Sequence, residues 1–286
     1  MTFTVGTILQ ETALFFEKRG LDSARLEAEL LLSYILGTER LRLYLDHDRP
    51  LTSAEINEYK EVIRQRLSGK PLAYITGKKS FLKWDFFITP DVLIPRPETE
   101  ILVEKTLEMV KDQATGAILE LGTGSGAIAL SLAHYLPAFQ FDAVDISPAA
   151  LRVASENALR QNLYERVSFY GGDLYAALPN EKKRLYTGIV SNPPYISSQV
   201  IPGLSREVRE EPLGALDGGP DGTEMIKRII ERAFEYLAPG GFLALEHGHD
   251  QYFVVEETAK KAGFTTVLSY QDYAGFPRVA ICQSAK

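Results

Sequence analysis

Apolar positions recur at helical spacing from the start of the chain. Val5, Ile8, Leu9, Ala13 and Phe16 share one face, and Gly20 stops that segment. Ala24, Ala28, Leu31, Leu32 and Ile35 share the face of a second segment, ended by Gly37. Thr52 to Glu55 has the spacing of a capping box, and Ile56, Tyr59, Ile63 and Leu67 follow on one face behind it. These patterns predict a small helical bundle over residues 1–70. From 71 to 97 the pattern changes to aromatic and β-branched residues among turn formers, including Tyr74, Ile75, Phe81, Trp84, Phe86, Phe87 and Ile88, which predicts a β-hairpin linker. From Glu98 to the end, helix-like and strand-like runs alternate, the signature of a mostly parallel sheet covered on both faces. Thr265 to Tyr270 and Arg278 to Gln283 are close enough to pair antiparallel at its end.

Within the 98–286 domain, the run Ala117 to Leu121 leads directly into Gly122-Thr123-Gly124-Ser125-Gly126-Ala127, and the helix-like Ile128 to Ala133 follows. Strand, glycine turn and helix make a nucleotide-type site, because glycines admit close backbone approach and the helix start offers unpaired N–H groups. Asp145 lies 19 residues after Gly126, at the end of the strand-like run Phe139 to Val144. A carboxylate there can accept both hydroxyls of a ribose. Gly172-Asp173-Leu174 ends the third such run, and Asn192-Pro193-Pro194-Tyr195 ends the fourth, Gly188 to Ser191. The predicted fold is α/β, a doubly wound Rossmann-like sheet with an antiparallel last strand. Ligands in such sheets bind at the carboxyl ends of the strands, so Gly122, Asp145, Asp173 and Asn192 are expected in one cleft.

The glycine turn alone does not name the ligand, since Gly122-x-Gly124-x-x-Ala127 also satisfies a relaxed dinucleotide fingerprint. The tetrapeptide is more selective. Asn192 offers a side-chain carbonyl and is held extended by the proline after it, while Pro193 and Pro194 carry no N–H to compete for their carbonyls. That arrangement suits an amino group with two N–H bonds, and Tyr195 adds an aromatic face for a flat amide or base. With these residues the chain resembles the S-adenosylmethionine-dependent methyltransferases that modify amino groups conjugated to planar systems. Pro71-Leu72-Ala73-Tyr74-Ile75-Thr76-Gly77, Val92-Leu93-Ile94-Pro95-Arg96-Pro97-Glu98-Thr99-Glu100, Glu246-His247-Gly248 and Asp272-Tyr273-Ala274-Gly275 narrow the likeness to the release factor glutamine methyltransferases, over essentially the whole chain.

The resemblance implies methylation of the side-chain amide of the glutamine in the Gly-Gly-Gln motif of peptide chain release factors, in translation termination. S-adenosylmethionine would rest on Gly122, Thr123, Gly124, Ser125 and Gly126, with Asp145 on the ribose, Asp173 and Leu174 at the adenine, and Asn192 adjoining. The family often places an aromatic residue where Leu174 stands, which bears on affinity. Asn192, Pro193, Pro194 and Tyr195 would hold the acceptor amide. Two readings stay open for Glu120, the methionine ammonium or order in the glycine turn. Arg96 either lines the substrate entrance or serves a structural ion pair, and the helical head either docks the substrate or supports the linker. The glycine-rich stretch 214–222 is read equally as a substrate-side flap and as a flexible connection.

Composition narrows the partners. Lys plus Arg is 31 against 38 Asp plus Glu, a net charge of −7, with no basic cluster, which argues against DNA as the substrate. The single cysteine, Cys282, permits no intramolecular disulfide. Leu30 to Leu36 is too short to span a bilayer and no basic segment with a long apolar core opens the chain, so a cytoplasmic location without membrane contact is expected. A monomer is the separate expectation. Glu246-His247-Gly248-His249-Asp250 crowds histidines and acids together, but no second cluster has ligand spacing, and no metal is expected.

Overall fold

A computed structural model describes residues 3–284 of the chain. They form two compact units, one of residues 3–77 with 206–210, the other of 78–205 with 211–284.

The first unit is helical: α1 (Val5–Glu17), α2 (Ala24–Leu36), α3 (Arg42–Leu45), α4 (Ser53–Leu67) and α5 (Leu72–Thr76). Thr52 and Glu55 make the expected capping box, and Thr4 with Thr7 makes a second one at the start of α1. Gly37 ends α2 and Gly77 ends α5, both in the left-handed conformation that only glycine adopts without strain. Val5, Ile8, Leu9 and Phe16 pack with Ala28, Leu31, Leu32, Tyr59 and Val62 in one core. Burial leaves the Tyr59 hydroxyl a backbone partner, the Ala28 carbonyl, at 2.9 Å. Helix α3 carries too few periodic residues to be read from the sequence. Helix α5 stands where hairpin was expected, because Pro71 is compatible with a helix start and Leu72 to Ile75 bury against the bundle. Arg66 joins Glu27 at 2.5 Å and Glu207 at 2.6 Å, which ties the segment 206–210 into this unit.

The second unit opens with the antiparallel hairpin β1 (Lys78–Phe81) and β2 (Trp84–Phe87). Then come α6 (Pro97–Val110), β3 (Gly116–Leu121), α7 (Ala127–Tyr135), β4 (Phe139–Asp145), α8 (Pro148–Arg160), β5 (Val167–Gly171) and β6 (Tyr186–Ser191). After the short α9 (Arg206–Arg209), which belongs to the first unit, follow α10 (Glu224–Tyr236), β7 (Leu237–Glu246), α11 (Tyr252–Ala262), β8 (Thr266–Gln271) and β9 (Pro277–Gln283). The seven strands lie in the order β5-β4-β3-β6-β7-β9-β8, parallel except for β9, which runs antiparallel to both β7 and β8. Leu119, Leu121, Ile189, Leu243 and Leu245 are fully buried, as a sheet covered on both faces requires.

The register positions the site. The chain steps from β3 outward to β4 and β5, then returns to place β6 on the other side of β3, so the strand order reverses between β3 and β6. At such a reversal the loops diverge and leave a crevice. Leu121 pairs with Val144 and with Ser191, Asp145 pairs with Gly171, and Ser191 pairs with Leu245. Gly122, Asp145, Gly172, Asn192 and Glu246 therefore leave the sheet at one level along one rim.

Candidate active site

A cavity of about 400 Å³ opens at this rim, within the range of small-molecule sites. Gly122 to Ser125, Asp145, Asp173, Leu174, Asn192, Pro193 and Pro194 all line it, whereas Gly126, expected among the cofactor residues, is absent from the lining and sits against Leu130 and Ala154.

The glycine turn is built by backbone conformation and by β4. Gly122, Gly124 and Gly126 have φ of 73°, 54° and 81°. An added Cβ at Gly122 or Gly124 meets nothing within 4 Å, so left-handed backbone, not crowding, is what selects glycine there. The N–H groups of Gly122 and Thr123 both donate to the Val144 carbonyl, at 2.8 and 2.9 Å. Gly126 is the N-cap of α7 and supplies no side-chain cap, which leaves the helix start facing the cavity.

Asp145 accepts from the N–H of Gly124 at 2.8 Å through Oδ2 and from the N–H of Ser147 at 2.9 Å through Oδ1. Burial raises its pKa, and these backbone bonds oppose the rise. Each carboxylate oxygen keeps a further lone pair for a ligand hydroxyl. Asp173 pairs with Arg228 at 2.6 Å on a half-exposed surface, and Leu174 is held at a φ of 49°, a conformation costly for a residue with a Cβ.

Glu120 uses its two oxygens differently. Oε2 accepts from the Thr123 hydroxyl at 2.5 Å and from the Ala129 N–H at 3.1 Å, which orders the turn and the first turn of α7. Oε1 is buried without a hydrogen-bond partner, on a residue that lines the cavity. Burial pushes the carboxyl up to about 8, with the Asp145 charge adding to the rise. An orphaned acidic oxygen in the wall of this cavity is suited to a cation.

On the β6 side, the Ser191 hydroxyl donates to the Leu121 carbonyl at 2.6 Å and joins the two diverging strands. Asn192 Nδ2 donates to Thr99 Oγ1 at 3.1 Å, which leaves Oδ1 as the free end of the carboxamide. Tyr195 does not take the place expected of it. Its ring packs against the core of the sheet, it is absent from the cavity lining, and its hydroxyl donates to Glu246 Oε1 at 3.1 Å. The substrate-facing aromatic of the sequence reading is thus an internal strut between the core and Glu246. Arg96 is likewise committed elsewhere, in an ion pair with buried Glu211, whose other oxygen accepts from the Ile94 N–H at 3.0 Å. That latch fixes Ile94 to Pro97 against the segment following Asn192-Pro193-Pro194-Tyr195.

The stretch 214–222 is hydrogen-bonded to the segment after β6. Gly218 N–H donates to the Ile196 carbonyl at 2.9 Å, Ser198 N–H to the Gly219 carbonyl at 2.9 Å, and an added Cβ at Gly218 would meet Pro194 O at 2.7 Å. Gln251 closes the arrangement: its Nε2 donates to the carbonyls of Tyr195 at 2.8 Å and Gly222 at 3.2 Å, and its Oε1 accepts from Gly248 N–H at 2.8 Å. Gly214 and Ala215 line the cavity. Among the described residues no group of acids, histidines and cysteine is placed to hold a metal, and His247 is buried against its neighbour's carbonyl with its pKa lowered by burial.

Four contributors had no assigned role in the sequence reading: Thr99, Asn157, Glu211 and Gln251. Asn157 on α8 exchanges hydrogen bonds with the backbone of Phe87 at 2.7 and 2.9 Å and donates to Ser125 O at 2.9 Å, docking the hairpin onto the glycine turn. Only Thr99 carried a signal, its place inside the Val92 to Glu100 motif. The others are single polar residues in helices or loops, where composition favours a solvated face.

Residues 7–77 match the family model described as the PrmC N-terminal domain, and residues 98–207 match the methyltransferase small domain. A release factor glutamine methyltransferase of Moorella thermoacetica is 45% identical over 260 residues, 91% of this chain and 91% of that protein. Another, of Geobacter sulfurreducens, is 40% identical over 97% of this chain and 95% of that protein. This chain belongs to the release factor glutamine methyltransferase family. The fold is shared more widely: a methyltransferase from Pyrococcus furiosus superposes with a TM-score of 0.52 at 21% identity, over 78% of this chain and 98% of that one. The N-terminal domain of human METTL16 gives 0.53 at 19% identity, over 70% of this chain and 74% of that one. Among the described residues no helix is long and apolar enough to cross a membrane.

Proposed function

We propose that this protein methylates the side-chain amide nitrogen of the glutamine in the Gly-Gly-Gln motif of peptide chain release factors, with S-adenosylmethionine as donor, and so acts in translation termination. The observation that carries this is the adjacency of two half-sites on paired strands, a glycine turn with an acceptor carboxylate after β3 and β4, and Asn192-Pro193 after β6.

The cavity suits the cofactor: an apolar wall for the adenine at Leu174, a paired carboxylate at Asp145 for the ribose, and the orphaned Glu120 oxygen for the methionine ammonium. Gly122 to Ser125 and the start of α7 line the space between. S-adenosylmethionine supplies an electrophilic methyl group on a positively charged sulfur. The amide nitrogen is a poor nucleophile because its lone pair is delocalised into the carbonyl. Asn192 Oδ1 and the Pro193 carbonyl each accept one of its N–H bonds, which orients the nitrogen and favours the positive charge it gains in the transition state. Positioning of this kind is worth roughly 7–11 kcal/mol in favourable cases. No strong base is needed before attack, since the methylated amide cation sheds its proton readily.

Arg96 and Tyr195 support this machinery without touching the acceptor, through the Glu211 latch and the Glu246 bond. The helical head serves as the release factor's docking domain, with 71–97 as the link to the catalytic domain, and the protein acts as a cytoplasmic monomer with no DNA partner. The deciding experiment is transfer of labelled methyl from S-adenosylmethionine to a purified release factor, to its Gly-Gly-Gln glutamine-to-alanine variant, and to duplex DNA. Label on the wild-type factor alone is the expected result. Label on DNA, or equal label on the alanine variant, contradicts the assignment.

A further inference from the structure

One of the two acceptors in the clamp formed by Asn192 Oδ1 and the Pro193 carbonyl belongs to the backbone, so its direction depends on how the main chain is held. The φ angles of Pro193 and Pro194 are locked by their rings and Asn192 is kept extended, which leaves the ψ angles as the soft torsions of the span. Neither proline has an N–H with which to fasten itself. The carbonyls of such a span point where its two ends are anchored.

The near end is β6, where Ser191 pairs with Leu121 and its hydroxyl donates to the Leu121 carbonyl at 2.6 Å. The far end is held by Gln251 and Gly218, neither of which lines the cavity. Gln251 Nε2 donates to the carbonyls of Tyr195 at 2.8 Å and Gly222 at 3.2 Å, while Oε1 accepts from the Gly248 N–H at 2.8 Å. All three partners are backbone groups with fixed roles, so the carboxamide has one orientation. Gln251 is buried and stands at the N-cap position of α11, whose Val255 and Ala259 are fully buried, so a packed helix carries the donor.

Gly218 confines the same end by contact. An added Cβ there would meet Pro194 O at 2.7 Å and Tyr195 Cα at 2.8 Å, and its φ lies outside the left-handed region, so crowding is what selects glycine. Its N–H donates to the Ile196 carbonyl at 2.9 Å, and the Ile196 N–H donates to the Leu216 carbonyl at 3.0 Å.

We propose that Gln251 and Gly218 are positioning residues for methyl transfer, which fix the exit of Asn192-Pro193-Pro194-Tyr195 and thereby the direction of the Pro193 carbonyl that receives the acceptor N–H. The proposal rests on the clamp role given to Asn192 and Pro193 above. Neither residue meets the cofactor cavity, so loss of the brace slows transfer and leaves donor binding intact.

The test is methyl-transfer kinetics with a purified release factor at saturating S-adenosylmethionine, for wild type, Gln251→Met, Gly218→Ala, Asn192→Ala, the Asn192→Ala/Gln251→Met double variant and Phe139→Leu. Cofactor Kd by calorimetry and Tm accompany each. Phe139→Leu removes buried volume at the amino end of β4, on the opposite rim of the sheet, and calibrates the effect of lost stability alone. Gln251→Met and Gly218→Ala are each expected to lower kcat roughly 10- to 100-fold with Kd near wild type, since a misplacement of about 1 Å costs that much. Phe139→Leu is expected to keep its kcat. The losses of Asn192→Ala and Gln251→Met are expected not to multiply, because both act on the orientation of one nitrogen. Wild-type kcat in Gln251→Met, a loss no larger than that of Phe139→Leu, or losses that multiply in the double variant each overturn the proposal and leave the clamp standing. Near-normal turnover in Asn192→Ala overturns the clamp itself. Should Gln251→Met not fold, Gly218→Ala decides by the same comparison, and wild-type kcat there overturns the proposal.

Discussion

The Gly124 N–H donates to Asp145 Oδ2 at 2.8 Å, so the carboxylate assigned to the ribose also holds the middle of the glycine turn. Two recognition elements from neighbouring strands are thereby a single unit. A ligand that binds one meets the other already in place, which lowers the ordering cost of binding.

Asp145→Ala is expected to weaken S-adenosylmethionine binding by roughly 10- to 100-fold, since hydrogen bonds to a charged group contribute about 1.5–3 kcal/mol. Asp145→Asn should lose less, because its Oδ1 can still accept from one backbone N–H. Calorimetric titration decides, and an unchanged Kd in Asp145→Ala would remove the ribose contact.

Asn192→Ala should bind S-adenosylmethionine normally and lose most turnover, because Asn192 orients the acceptor and not the donor. The informative comparison is Kd against kcat in one preparation. A parallel loss of both would show that Asn192 instead shapes the cofactor half of the cavity.

Glu120 predicts a pH effect with a definite sign. Its folded pKa of about 8 lies above the ordinary value of 4.5, so its contribution to stability is fully present below about 4.5 and is lost as pH rises towards 8. Glu120→Gln removes this dependence. The Tm of the wild type minus that of the variant, without ligand, should therefore fall steadily as pH is raised from about 5 to about 9. At pH 7 the unliganded carboxyl is mostly protonated, and a cation placed beside Oε1 favours ionisation. Cofactor binding should then release a proton, seen as a binding enthalpy that varies with the ionisation enthalpy of the buffer. A buffer-independent enthalpy would separate Glu120 from the ammonium group.

Arg96→Ala tests latch against substrate contact. Glu211 is buried, and removal of its cation leaves an incompletely compensated charge, at a cost of about 1–3 kcal/mol. The expected signature is a lower Tm with little change in KM for the release factor. The opposite pattern, unchanged Tm with raised KM, would return Arg96 to the substrate entrance.

Much of this protein was legible in its sequence because its signals are local. Capping at Thr52 and Glu55 depends on neighbours three residues apart. The glycine turn is written by the backbone conformations that Gly122, Gly124 and Gly126 alone adopt without strain, and the alternation of runs after Glu98 dictates a covered parallel sheet. Asn192-Pro193-Pro194-Tyr195 announced its chemistry through side-chain acceptors and missing N–H groups, which no later folding step alters. The tertiary structure decided the partners. Whether Tyr195 faced a ligand or Glu246, whether Arg96 met a substrate or Glu211, and what held the Nδ2 end of Asn192 were set by residues 51, 115 and 93 positions away. Such pairings follow from strand order and register, through which β3, β6 and β7 bring their ends to one rim. A buried polar side chain takes whichever partner that rim supplies, because leaving it unpaired costs more than any local preference can recover.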